Sequence, residues 1–116
     1  MKKRKHGHIM NISSIDAKYG STINNIFYGV SKRGMESATK TLEREGAKHN
    51  ILVNTIRPSV TNTDFIKKLG KDIKKRIELI PLNRAMEPVK LAKFIFYMCT
   101  QNTFITNEII TIAGGE

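Results

Sequence analysis

Two apolar, β-branched runs flank one long stretch of helical period, and that succession constrains the fold more than any other feature of the chain. The first run, His8-Ile-Met-Asn-Ile-Ser13, lies between Gly7 and a polar stretch. The second, Ile51-Leu-Val-Asn-Thr-Ile56, follows His49-Asn50. Both have the length and residue types of buried strands. Between them, from Phe27 to Lys48, the residues Phe27, Val30, Gly34, Met35, Ala38 and Leu42 recur at three- and four-residue spacing. That spacing predicts one long helix with these side chains on its packed face. Ser14 to Asn25 reads as loop. Strand, helix and strand within about 50 residues make a parallel βαβ unit.

The remainder extends the same pattern. Pro58, lacking an N–H, is expected to stop the second strand, and Ser59 to Thr63 offer hydroxyls and an amide suited to capping a following helix. Asp64 to Leu79 predicts one or two short helices broken near Gly70. Pro88 suits the first position of a further helix running through Leu91, Ala92, Ile95, Phe96 and Cys99. Phe94, Phe96 and Tyr97 are expected to pack that helix, and Met10, Met35, Met86 and Met98 to fill core gaps. A last strand, Glu108 to Ala113, precedes Gly114-Gly115. The expectation is a single α/β domain over residues 1–116, its strands at about 8–13, 51–56 and 108–113. A sheet this narrow leaves apolar edges that invite pairing with another chain.

Composition narrows the class. With 116 residues, 40% of them hydrophobic, the chain can bury roughly two-thirds of its unfolded surface. One cysteine, Cys99, excludes an internal disulfide and fits a reducing cytoplasm. No apolar run approaches the roughly 20 residues of a membrane span, and Met1 to His6 lacks the apolar stretch of a signal peptide. Twenty Lys plus Arg against ten Asp plus Glu give a formal net charge of +10, which makes anionic partners worth weighing.

Three residues draw the chemistry together: Ser14 at the end of the first strand, and Tyr28 and Lys32 on the opening turns of the long helix. Four residues apart, Tyr28 and Lys32 share a helical face, where an ammonium favours the phenolate. A serine at a strand end of an open parallel sheet sits where ligands bind, and could hydrogen-bond the oxygen that the tyrosine protonates. The spacing alone equally suits a half-buried tyrosine with a solvated lysine one turn on.

With these residues in place, the sequence resembles the short-chain dehydrogenases/reductases, in particular the 3-oxoacyl-carrier-protein-reductase-like branch. Gly7-His-Ile-Met-Asn-Ile-Ser-Ser14 is similar to the family's strand ending in the catalytic serine, and Tyr28-Gly-Val-Ser-Lys32 to its Tyr-x-x-x-Lys motif. Asn50-Ile-Leu-Val-Asn-Thr-Ile-Arg-Pro58 resembles the next strand, and Ser59-Val-Thr-Asn-Thr63 the turn that approaches the nicotinamide. Ile80-Pro-Leu-Asn-Arg84, Glu87-Pro-Val-Lys-Leu-Ala92 and Phe104 to Gly115 resemble the closing segments. Ser59 stands where glycine is usual, Asn107 where glycine is common, and Ala113 where aspartate often precedes the final glycines.

The resemblance implies the carboxyl-terminal half of a Rossmann-like, doubly wound parallel sheet. It implies an NAD- or NADP-dependent exchange between a carbonyl and a secondary alcohol. Tyr28 would be general acid or base, Ser14 would polarise the substrate oxygen, and Lys32 would hold the ribose and lower the Tyr28 pKa. Tyr28, Lys32, Pro58, Thr61 and Thr63 would meet the cofactor. No glycine cluster here has the Gly-x-x-x-Gly-x-Gly form of the phosphate turn, so the expectation is a truncated chain, inactive alone. Self-association through the long helix and the closing segment is also implied. The substrate would be a small carbonyl or alcohol, anionic or carrier-linked.

Lys67, Lys68, Lys71, Lys74, Lys75 and Arg76 crowd one stretch. They read as a solvated face, then as attraction for an anionic substrate, and least as a nucleic-acid surface. A non-catalytic basic binding module is thus the second function class. His6, His8 and His49 lack partners at metal-ligand spacing, and no metal is expected.

Overall fold

A computed structural model of the chain describes residues 1–68 and 72–116. The elements are β1 (Gly7–Ile12), α1 (Asp16–Tyr19), α2 (Ile26–Gly46), β2 (Ile51–Pro58), α3 (Asp64–Lys67), α4 (Asp72–Glu78), α5 (Pro88–Thr100) and β3 (Ile109–Ile112). Gly70, where a helix break was expected, lies outside the described residues.

All three strands are parallel, in the order β1-β2-β3. Gly7 lies opposite Ile51 and Ile12 opposite Ile56, while Thr55 lies opposite Ile109. This is the α/β arrangement of half a Rossmann-like sheet, with α2 on one face and α5 against β1. The core centres on β2, where Val53 and Ile56 are fully buried, and on Met98 of α5.

β2 stops at Pro58 as expected, two residues beyond the Ile51–Ile56 run. Pro58 is the strand's last residue and lies opposite Ile112. Its carbonyl still accepts the Ile15 N–H at 2.9 Å, so the proline forfeits one donor while the ladder continues through its acceptor. The expected loop from Ser14 to Asn25 holds α1 and a short 3₁₀ turn at Ile23–Asn25.

The larger correction concerns α2. Its buried residues are Gly29, Glu36, Thr39 and Gly46. The face read as packed is turned outward: Phe27 is 85% exposed and Val30 63%, and Gly34, Ala38 and Leu42 are exposed as well. The physical reason lies in the sheet. Asn11 and Ser13 of the β1 segment, with Thr55 and Arg57 of β2, put a polar stripe under the helix, and a polar helical stripe meets it. Small residues let the helix come close: a Cβ on Gly46 would stand 2.8 Å from the Ile51 carbonyl oxygen.

On α5, Pro88 occupies the first turn as expected. Met98 is buried, but Phe96 and Tyr97 are exposed, because the helix shows the sheet only one stripe. Asn107 takes φ 63°, a left-handed conformation that asparagine tolerates where glycine is common.

Candidate active site

The C-terminal end of β1 runs into a corner at Ser13-Ser14. Ser13 prolongs the ladder, its N–H donating to the Ile56 carbonyl at 2.8 Å. Ser14 is buried, and its Oγ accepts the Asp16 N–H at 3.2 Å, which fastens the corner to the start of α1. Asp16 in turn accepts the Ser21 hydroxyl at 3.1 Å.

Tyr28 and Lys32 lie on the first turns of α2. Tyr28 is 47% exposed, so its phenol is open to a ligand. The Lys32 ammonium stands 5.5 Å from the centre of the Tyr28 ring and donates to the Ile12 carbonyl at 2.8 Å. This side chain thus links the tyrosine to the strand end that leads into Ser14. An ammonium has three N–H donors, and Ile12 takes one of them.

The third component is the turn after β2. Ser59 is not among the residues with positive φ, so a side chain here in place of glycine meets no backbone strain. Its hydroxyl donates to the Glu116 carboxylate, which also pairs with Arg76. Thr61 forms an isolated bridge with Met86, and its hydroxyl donates to the Ser59 carbonyl at 3.3 Å. Thr63 is the N-cap residue of α3 without a side-chain capping bond. The expected capping therefore fails: Thr61 turns to Ser59, and the Asn62 amide to Glu87 at 3.3 Å. Beside this turn lies a cleft of about 610 Å³, walled by Ser59, Asn62, Leu82, Arg84, Lys90 and Ile112.

Beneath α2 is a polar cluster that the motifs do not announce. The Glu36 side chain, 2% exposed, accepts from Ser13 Oγ at 2.7 Å. Arg57 binds it twice, Nε to Oε1 and Nη2 to Oε2, both at 2.8 Å. Arg33 adds a contact at 3.1 Å from the exposed side. Burial pushes the Glu36 carboxyl up, but the hydrogen bonds and charge of Arg57, with Ser13 and Arg33, outweigh it and hold the pKa below the ordinary value. The Glu36 hydrogen bond raises Arg57 in turn, against burial. One turn on, Thr39 Oγ1 lies 2.6 Å from Thr55 Oγ1 and accepts from the Asn11 amide at 2.8 Å.

A family model described as enoyl-(acyl carrier protein) reductase matches residues 1–116. The chain belongs to the short-chain dehydrogenase/reductase family. This short-chain dehydrogenase/reductase is 36% identical to an acetoacetyl-CoA reductase of Acinetobacter over 117 aligned residues, which cover 99% of the chain and 47% of the relative. A 3-oxoacyl-[acyl-carrier protein] reductase from Brucella melitensis superposes with a TM-score of 0.89 at 26% identity, covering 99% of this chain and 44% of that one. ElxO with NADP bound superposes at 0.88 and 28% identity, over 99% and 48% respectively. The chain therefore spans about half the length of the relatives it matches, and it falls in the 3-oxoacyl-carrier-protein-reductase-like branch.

Sequence reading singled out Ser14, Tyr28 and Lys32, which the structure places at the β1 corner and on the first turns of α2, but passed over Ser13, Glu36 and Arg57. A signal was available. Asn11 and Ser13 alternate on one strand, Thr55 and Arg57 on the next, and Lys32, Glu36 and Thr39 fall on one helical face. Three polar stripes in elements that must pack together predict a polar seam.

Proposed function

We propose that the chain carries the catalytic half of an NAD(P)-dependent oxidoreductase that interconverts a carbonyl and a secondary alcohol. One observation bears most of the weight: the Lys32 ammonium lies beside the Tyr28 ring while bound to the strand end next to Ser13-Ser14.

In this reading Tyr28 gives its phenolic proton to the carbonyl oxygen in reduction and takes it back in oxidation. Ser14 donates a hydrogen bond to the same oxygen, because the bond that it accepts from the Asp16 N–H leaves its own hydroxyl hydrogen available. Lys32 holds its positive charge beside the Tyr28 ring, where it favours the phenolate that proton transfer leaves. The residues suit the nicotinamide end of a cofactor, because two Lys32 N–H donors remain for the oxygens of a ribose diol. Pro58, Thr61 and Thr63 would border the ring. The cofactor, when bound, supplies or accepts the hydride.

The 116 residues hold no glycine cluster for a pyrophosphate, so the chain alone should bind NAD(P) weakly and turn over poorly. A small carbonyl substrate, anionic or carrier-linked, suits the basic surroundings, with 3-oxoacyl thioesters first among classes because relatives are named for them. A reducing cytoplasm suits the lone thiol of Cys99. Among the described residues no helix is long and apolar enough to cross a membrane. Self-association through α2 and the closing segment is proposed from the apolar side chains exposed there, Phe27, Val30, Phe96 and Tyr97.

The test follows loss of nicotinamide absorbance with acetoacetyl-CoA, using this chain and Tyr28→Phe. Slow turnover that Tyr28→Phe abolishes supports the reading. Turnover that survives the substitution would overturn it.

A further inference from the structure

We propose that Glu36 is a positioning residue for the Ser14, Tyr28 and Lys32 set: its carboxylate fastens the β1 corner and β2 to the helix that bears the tyrosine and lysine. The inference rests on the reading that these three residues handle a carbonyl oxygen.

Ser14 and Tyr28 belong to separate elements, and the bond that the Ser14 hydroxyl accepts runs to α1, not to α2. The distance of Ser14 from α2 must therefore be set through neighbours. Ser13 is that neighbour. Its Oγ lies 2.7 Å from Glu36 Oε1 and 3.3 Å from the Lys32 carbonyl oxygen. A hydroxyl has one hydrogen, and the shorter contact to a charged acceptor takes it. The same carboxylate holds Arg57 in a bidentate pair, and Arg57 Nη1 continues to Thr111 Oγ1 of β3 at 3.4 Å. Glu36 thus joins α2 to the β1 corner and to β2, and Arg57 carries the network on to β3.

Direction distinguishes this clamp from apolar packing. A leucine at position 36 would hold the helix to the sheet equally well at several rotations, whereas a bidentate pair accepts one. Thr39, with Thr55 and Asn11, makes a second fastening one turn on. Two fastenings fix the rotation of α2, and with it the places of Tyr28 and Lys32. Among the described residues, the charged groups bonded to Glu36 are Arg33 on its own helix and Arg57 on β2. Lys32 turns its ammonium to Ile12, and Asp16 lies beyond Ser14 on α1.

The test is an acid titration of the chain by ¹H–¹⁵N NMR, with Glu36→Gln and Ser13→Ala. In the native chain the amides of Ser14, Tyr28 and Lys32 should move together as Glu36 protonates, while α5 amides stay in place. In Glu36→Gln that shared transition should vanish. Ser13→Ala keeps the ion pair, so it remains folded if Glu36→Gln does not; it should uncouple Ser14 from the transition at Lys32. Protonation of Glu36 that leaves Ser14 and Lys32 unmoved overturns the proposal. So does a transition in which every amide moves at once, since Glu36 would then support the fold as a whole. A Tyr28 phenol titration that Lys32→Met does not shift counts against the catalytic reading and leaves the clamp result standing.

Discussion

Glu36 is a charge kept in the interior by three partners, so deleting its charge strands Arg57 more than it removes an attraction. Breaking a buried pair by losing one member costs about 3 kcal/mol. Glu36→Gln should lose stability of that order at neutral pH in urea unfolding. The pH dependence follows from the lowered Glu36 pKa. A carboxyl that holds its proton less tightly when folded adds stability above its unfolded pKa, and that stability disappears as pH falls through the folded value. The gap between the native chain and Glu36→Gln should therefore be widest near neutral pH and close in the acid range. A gap that stays constant down to about pH 3 would contradict the assignment. Tyr28 makes a separate prediction, because a general acid is worth roughly 10²- to 10⁴-fold. Tyr28→Phe should lower any measured reduction by that factor and leave thermal stability nearly unchanged, the side chain being half exposed.

At the level of elements, α2 shows what periodicity can and cannot reveal. The helix and both flanking strands were legible, since spacing and β-branched runs report local geometry directly. Which face of α2 meets the sheet was not legible, because Phe27, Val30 and Leu42 form an apolar stripe as regular as any buried one. The polar stripe of Glu36 and Thr39 becomes the inner face only once Asn11 and Thr55 stand opposite each other. Strand register is a property of the pairing. The candidate site divided in the same way: Ser14, Tyr28 and Lys32 lie in local motifs, while Ser13, Glu36 and Arg57 are joined across 21 or more residues of sequence. Gly46 makes the element-scale test. On an exposed helix Gly→Ala gains about 1 kcal/mol. Here the added Cβ would stand 2.8 Å from the Ile51 carbonyl oxygen, so Gly46→Ala should instead destabilise by about 1–3 kcal/mol. A raised melting temperature would show that α2 can lift from β2 at no cost.

For the whole molecule, the polar seam beneath α2 has a consequence on the opposite side of the helix. With the inner face given to Glu36 and Thr39, the apolar residues are left outside: Ile23 is 80% exposed, Phe27 85% and Val30 63%. Exposed apolar side chains of this kind on a chain of net charge +10 set hydrophobic attraction between copies against charge repulsion. Salt screens the repulsion and leaves the attraction. Association should therefore increase with ionic strength, the opposite of what a charge-driven complex would show. Sedimentation velocity of the native chain at low and high salt measures this directly. Phe27→Glu with Val30→Glu places carboxylates on the stripe and should abolish association at both salts while leaving the helix intact. If the double variant associates as strongly as the native chain, the contact lies elsewhere, and α5, with Phe96 and Tyr97 exposed, is the next surface to vary.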